Sequence, residues 1–155
     1  MKTDSSRREF CARTCQLVAI AAVEAALPAC SGGGNGVTGP SGQSLPTLNA
    51  TSGTGGATLT IDSGSPLASV GGAALVQTSR ALLLVARTSA DTFSALNSTC
   101  THERCTITGY TGDEFVCPCH GSHFDQGGRA LTGPARTALR SFPTSFAGGV
   151  LTISV

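Results

Sequence analysis

Lysine is almost missing from this 155-residue chain: the only one is Lys2. Charged residues make up 12% in all. After residue 29, six arginines (Arg80, Arg87, Arg104, Arg129, Arg136, Arg140) balance six acids (Asp62, Asp91, Glu103, Asp113, Glu114, Asp125). That stretch has zero formal net charge and no basic run of the kind that neutralises phosphates, so binding to nucleic acid is unsupported, as is a polybasic membrane patch. Long apolar runs are also scarce. The one from Gln16 to Leu27 is broken by Glu24 and falls short of the roughly 20 residues a spanning helix needs. The early third is too poor in large apolar residues to add a second core, so one folded domain is expected.

Against these absences stand seven cysteines and three histidines. Most of them gather in two short boxes, Cys100-Thr-His102-Glu-Arg-Cys105 and Cys117-Pro-Cys119-His120-Gly-Ser-His-Phe124. Each box offers one thiolate and one imidazole, Cys100 with His102 and Cys117 with His120, and each holds one further cysteine, Cys105 or Cys119. Two soft sulfurs and two imidazoles suit zinc, or a 2Fe-2S cluster with thiolates on one iron and imidazoles on the other. Zinc fingers place their first two ligands two to four residues apart on a knuckle that aims both at one ion. A single residue separates Cys100 from His102, and Cys pairs with His in both boxes. Two irons accommodate that more naturally, because each loop can give its Cys to one and its His to the other.

The boxes resemble those of Rieske iron-sulfur proteins, C-T-H-x-G-C and C-P-C-H-G-S, and the resemblance spans roughly Leu59 to Val155. It implies that Cys100, His102, Cys117 and His120 hold a Rieske-type 2Fe-2S cluster. It also implies that Cys105 and Cys119 form the disulfide that ties the two cluster loops together in the cytochrome bc branch. Ser122 falls where that branch has a serine donating to a cluster sulfide. Gly128-Arg129 and Gly133-Pro134-Ala135 match its glycine and the proline loop that covers the cluster. Two positions depart from the pattern. Arg104 stands where the first box usually has Gly, so the loop needs either a different backbone angle or an outward-pointing side chain. Phe124 stands where high-potential members have a Tyr that donates to a ligand sulfur; it is read as a hydrophobic plug that lowers the potential by losing that bond and limits water access. His123 is read as a solvated loop histidine.

Upstream, Ser6-Arg7-Arg8-Glu9-Phe10 is a twin-arginine pattern, and residues 1–30 are read as an export leader rather than a permanent anchor. Leu27-Pro28-Ala29-Cys30 looks like a lipobox whose Cys30 is lipidated, while Cys11 and Cys15 leave with the leader. Residues 31–56 are rich in Gly and Ser with no periodic apolar residues, so they are expected to form a flexible tether. An oxidising compartment suits a cysteine pair left over beside four ligands. The protein is therefore placed on the periplasmic side, membrane-tethered.

From residue 57 to 155 the pattern becomes short apolar or alternating runs rich in Val, Ile, Thr and Leu, separated by Gly, Ser, Asp and Pro. An all-β fold is expected, a small antiparallel sandwich or barrel with two cluster-binding loops. The strands fall at Thr58 to Asp62, Ala74 to Thr78, Ala81 to Arg87, Thr92 to Leu96, Glu114 to Cys117, Arg129 to Ala130, Ala138 to Phe142 and Val150 to Ser154. Ala81 to Ala86 is apolar at every position, which suits a central strand covered on both faces, with a short buried helix as the competing reading. The eleven residues from Thr106 to Val116 leave little room for a helix between the boxes.

Two neutral imidazoles and two thiolates leave an oxidised 2Fe-2S site electrically neutral. An all-cysteine site sits two charges lower, so the mixed set accepts an electron at less Coulomb cost. Imidazole can also take up a proton with the electron. The resemblance therefore implies an electron carrier that accepts from a quinol and donates to a cytochrome c-like acceptor, with His120 as the contact. Such a carrier performs no catalysis alone. Two rival readings are the Rieske small subunit of an exported molybdenum oxidase, similar to the arsenite oxidase partner, and a structural zinc or interaction module. Oxygenase-type Rieske ferredoxins fit less well, since they lack the cysteine pair and are cytosolic.

Overall fold

The computed structural model describes residues 42–155. The leader 1–30, the lipobox Cys30, Cys11, Cys15 and the first part of the expected tether lie outside the described residues. Thirteen strands and no helix occur among the described residues. The chain enters through β1 (Gln43–Ser44), β2 (Thr47–Asn49), β3 (Thr51–Gly53) and β4 (Gly56–Thr60). After a loop come β5 (Ala73–Gln77), β6 (Leu82–Arg87) and β7 (Phe93–Asn97), and then the first box. β8 (Gly109–Tyr110) and β9 (Glu114–Val116) lead to the second box, which β10 (His123–Asp125) and β11 (Ala130–Thr132) follow. β12 (Thr144–Ala147) and β13 (Val150–Ile153) close the fold as a hairpin.

The strands form three sheets, in the orders β2-β5-β6-β7, β12-β13-β4-β3 and β1-β8-β9-β10-β11. All pairings are antiparallel except β2 on β5. The first of these sheets is the middle layer. Side chains alternate across a strand, and here both faces are buried. Ala74, Val76, Leu83, Val85 and Ala95 share one core with Leu151 and Ile153 of β13. Ala73, Leu75, Leu84, Ala86 and Leu96 point the other way, into a core with Ile107, Phe115 and Phe124. Leu83, Leu84, Val85 and Ala86 are all fully buried, so the uninterrupted apolar run is the central strand, covered on both sides, that its sequence suggests.

Two expectations are corrected. The tether does not extend to residue 56, because strand pairing begins at Gln43, where β1 pairs with β8 and Leu45 donates its N–H to the Thr108 carbonyl at 2.8 Å. These strands are two or three residues long and mostly polar; backbone pairing holds them, and the side-chain pattern carries no sign of it. The expected strand from Ala138 to Phe142 is an extended segment along the edge of β7, joined by a single bridge, Leu96 to Ser141. Pro143 follows and has no N–H to continue a ladder; the regular strand begins one residue later at Thr144.

Candidate metal centre

The two boxes are loops that leave strands of different sheets and meet. The first leaves β7. Its ends are joined by the bridge between Thr99 and Thr106, and inside it Cys100 N–H donates to the Cys105 carbonyl at 2.8 Å while Arg104 N–H donates to the Cys100 carbonyl at 3.0 Å. Such a tight loop needs a residue in the left-handed region, and Arg104 supplies it with a φ of 48°. The replacement of Gly is thus absorbed by keeping a glycine-like backbone and turning the side chain into solvent. A side chain there costs on the order of 1 kcal/mol.

The second box turns between β9 and β10. Cys117 N–H donates to the Ser122 carbonyl at 2.9 Å, and Gly121 N–H donates to the Cys117 carbonyl at 3.0 Å. The proline loop is fastened to both boxes. Ala135 N–H donates to Ser122 Oγ at 3.1 Å, and Thr101 Oγ1 donates to the Thr137 carbonyl at 2.7 Å. At Gly133 a Cβ would lie 2.6 Å from the Ser122 Cα and 2.7 Å from the Gly121 carbonyl oxygen. Only glycine allows the proline loop to approach the second box so closely.

A disulfide joins Cys105 to Cys119 and so links the two loops. Cys100 and Cys117 are unpaired and buried, at 3% and 1% exposure. Burial pushes the Cys117 thiol up, and the neighbouring Cys100 thiol, within hydrogen-bonding reach, pushes the same way against the Cys119 backbone N–H. Two thiols facing each other in an apolar core resist becoming two thiolates unless a cation neutralises them. The imidazoles lie outside this core. His102 and His120 are 30% and 47% exposed, with ring centroids 5.0 Å apart and rings edge to face. The site therefore has a sulfur side turned inward and an imidazole side turned to solvent, with each loop contributing one of each. Distance alone also puts the Cys117 sulfur within 4.8 Å of both disulfide sulfurs, but Cys105 and Cys119 are oxidised to each other and offer no thiolate.

Ser122 is fully buried, and while its Oγ accepts from Ala135, no described residue accepts its hydroxyl proton. A buried donor without a protein acceptor fits a nearby anionic group such as an inorganic sulfide. Phe124 is fully buried in the same core as Cys100 and Cys117. Tyr110, beside Phe115 in that core, accepts from Gln126 at 2.6 Å and donates to the Gly112 carbonyl at 2.8 Å; burial raises its pKa.

The chain's match to the model of the Rieske [2Fe-2S] domain covers residues 63–143, more than half of its length. The chain belongs to the Rieske family. Among relatives, a cytochrome b6-f complex iron-sulfur subunit of Prochlorococcus marinus is 44% identical over 45 residues, which is 28% of this chain and 25% of that subunit. The same subunit from another strain of that organism is 38% identical over 58 residues, 37% of this chain and 33% of the relative. The chain thus spans only about a quarter to a third of the length of these relatives. Among solved structures, the cyanobacterial plasma membrane Rieske protein PetC3 from Synechocystis PCC 6803 has a TM-score of 0.50 at 31% identity, covering 54% of this chain and 87% of that one. A chain from the complex of reduced oxygenase and oxidized ferredoxin in carbazole 1,9a-dioxygenase reaches a TM-score of 0.51 at 26% identity, covering 63% and 92%.

The all-β Rieske fold, the Rieske-type 2Fe-2S cofactor and a role in electron transfer follow from membership. The reading as a structural zinc or interaction module is set aside by the same match. His123 is not the solvated loop residue that was expected. It lies on β10, half-buried, with Nδ1 2.7 Å from Glu114 Oε2 across the β9–β10 pair. Ser122 and Phe124 both face inward, so alternation turns His123 to the other face. Glu103 occupies the variable position of the first box, where the motif sets no residue type. Its carboxylate sits 4.0 Å from His102 Nε2 and 3.8 Å from His120 Nδ1.

Proposed function

We propose that Cys100, His102, Cys117 and His120 hold the cluster, and that the protein carries single electrons from a quinol-oxidising membrane complex to a cytochrome c-like acceptor. The observation that carries this reading is the polarity of the site, with both sulfurs buried and both imidazoles at the surface. When bound, the cluster supplies a one-electron redox centre. The exposed imidazoles then give the shortest route for an electron in or out, and their second ring nitrogens can take and release the proton that accompanies a quinol electron. His120, the more exposed of the two, is the contact. Ser122 would donate a hydrogen bond to a cluster sulfide, Gly133 and Pro134 hold the covering loop, and Phe124 would keep water from the sulfur side. The disulfide fixes the two loops at one separation.

Similarity to cytochrome b6-f iron-sulfur subunits favours the quinol chain over the small subunit of a molybdenum oxidase. In this reading the leader directs folded export by the twin-arginine route, Cys30 carries the lipid, and the stretch before Gln43 tethers the domain on the periplasmic side of the membrane.

The test is redox titration of the exported full chain, followed by EPR across a range of pH. The reading expects a Rieske signal and a potential in the upper part of the family's span, about −150 to +300 mV, falling as pH rises. A low potential that does not move with pH would sink the quinol reading.

A further inference from the structure

The imidazole side of the site carries a fixed anion. Glu103 sits between the two histidines in sequence position and in space, with its oxygens 4.0 Å from His102 Nε2 and 3.8 Å from His120 Nδ1, and its side chain is 62% exposed. These distances are too long for hydrogen bonds. They are short enough for the carboxylate to contribute to the field at both rings, since the interaction between charges falls with separation. Among the described residues no arginine forms an ion pair with Glu103, exposed Arg104 and Arg136 included; its two close charge pairs are with His102 and His120, and the other two are His123 with Glu114 and Arg129 with Asp125. An exposed carboxylate at the point of electron exchange must either stay wet or meet a cation in the complex, because burying it unpaired against an apolar surface is costly.

We infer that the histidine-bearing tip docks on a cationic face of its redox partner, a protein surface bearing Lys or Arg around its own electron-exchange site, and that Glu103 is the residue that selects it. This rests on the electron-carrier reading above and adds the charge of the partner. Electrostatic complementarity of this kind acts chiefly on the rate of encounter and on the rejection of wrong partners. It also predicts that ionic strength slows productive exchange, with most of the effect gone once the Debye length shrinks to a few ångströms.

Two small oxidants of opposite charge read the local field directly. Ferricyanide and tris(phenanthroline)cobalt(III) each accept one electron from the reduced protein, the iron or cobalt of the oxidant falling by one oxidation state, and no bond is made or broken in the protein. In low salt, Glu103→Gln is expected to shift the ratio of the two rate constants by roughly tenfold toward ferricyanide, an effect that 0.5 M salt should largely abolish. Asp91→Asn, in the turn at the far end of β7 from the first box, should leave the ratio unchanged. Arg104→Gln, which removes a positive charge, should shift it the opposite way and by less. The potential of each variant, measured by EPR, corrects for driving force. A readout without electron transfer is the calorimetric affinity for a basic cytochrome c in low salt, which Glu103→Gln should weaken several-fold. An unchanged rate ratio in a variant with a normal EPR signal, or a larger shift from Arg104→Gln, overturns the inference. Absence of a Rieske signal from the parent protein would instead overturn the electron-carrier reading on which it rests.

Discussion

The two cores of the molecule, back to back on the middle sheet, are built on different principles. The one shared with β12, β13 and β4 is hydrocarbon throughout its centre, with Val76, Leu83, Val85, Leu151 and Ile153 on strands of four to six residues and Leu67 from the loop after β4. The one shared with β8, β9 and β10, strands of two or three residues, takes in two unpaired cysteines from the loops. The first is stabilised by burial of apolar area, which needs no ligand. The second is shaped by tight loops, a disulfide and a buried serine, and in the proposed reading it is completed when its two sulfurs face the cluster. Stability and redox chemistry are thus assigned to opposite faces of one sheet.

Substitutions can separate the two. Cys117→Ala should abolish the cluster, seen as loss of iron and of the EPR signal, while hydrogen exchange of the β5–β6–β7 amides stays slow; if those amides lose protection, the cores are not independent. Leu83→Ala, fully buried in the hydrocarbon core, should cost about 2–5 kcal/mol in denaturant melts and leave the spectrum of the folded protein unchanged. Replacing both Cys105 and Cys119 by Ser removes a bond that closes a loop of 14 residues. The loss should be near 3 kcal/mol, and the cluster should be released before the hydrocarbon core unfolds. The smallest effect is a gain: Arg104→Gly relieves the left-handed conformation and should stabilise the domain by at most about 1 kcal/mol, because the glycine also makes the unfolded chain more flexible. A loss on Arg104→Gly would show that the arginine side chain contributes a contact that outweighs its backbone cost.

The same division explains what could be read from sequence. β6 was legible because burial on both faces writes itself as apolar residues at every position. The boxes were legible because ligand chemistry restricts residue type and spacing. β1, β2 and β3 were not, since these short strands are mostly polar and pair through their backbone, which any residue but proline can do. Ala138 to Phe142 misled by its alternation: Leu139 is buried against the cluster-side core and Phe142 packs on the other, a pattern shared by true strands and by a chain crossing from one core to the next. His123 and Glu103 needed the third dimension. Glu114 reaches His123 through the pairing of β9 with β10, and the two imidazoles reach Glu103 through the meeting of loops from different sheets.

The entry of the chain through β1 has a mechanical side. β1 is the outer strand of the sheet that bears the second box, it is held by two residue pairs, Gln43 with Tyr110 and Ser44 with Gly109, and the next residue, Leu45, is seated in the core that holds Cys100 and Cys117. Traction applied at Gly42 is borne first by those two pairs and by Leu45, and only afterwards by the three parallel pairs of β2 on β5. A load arriving from upstream would strain the redox end of the molecule before it reached the hydrocarbon end.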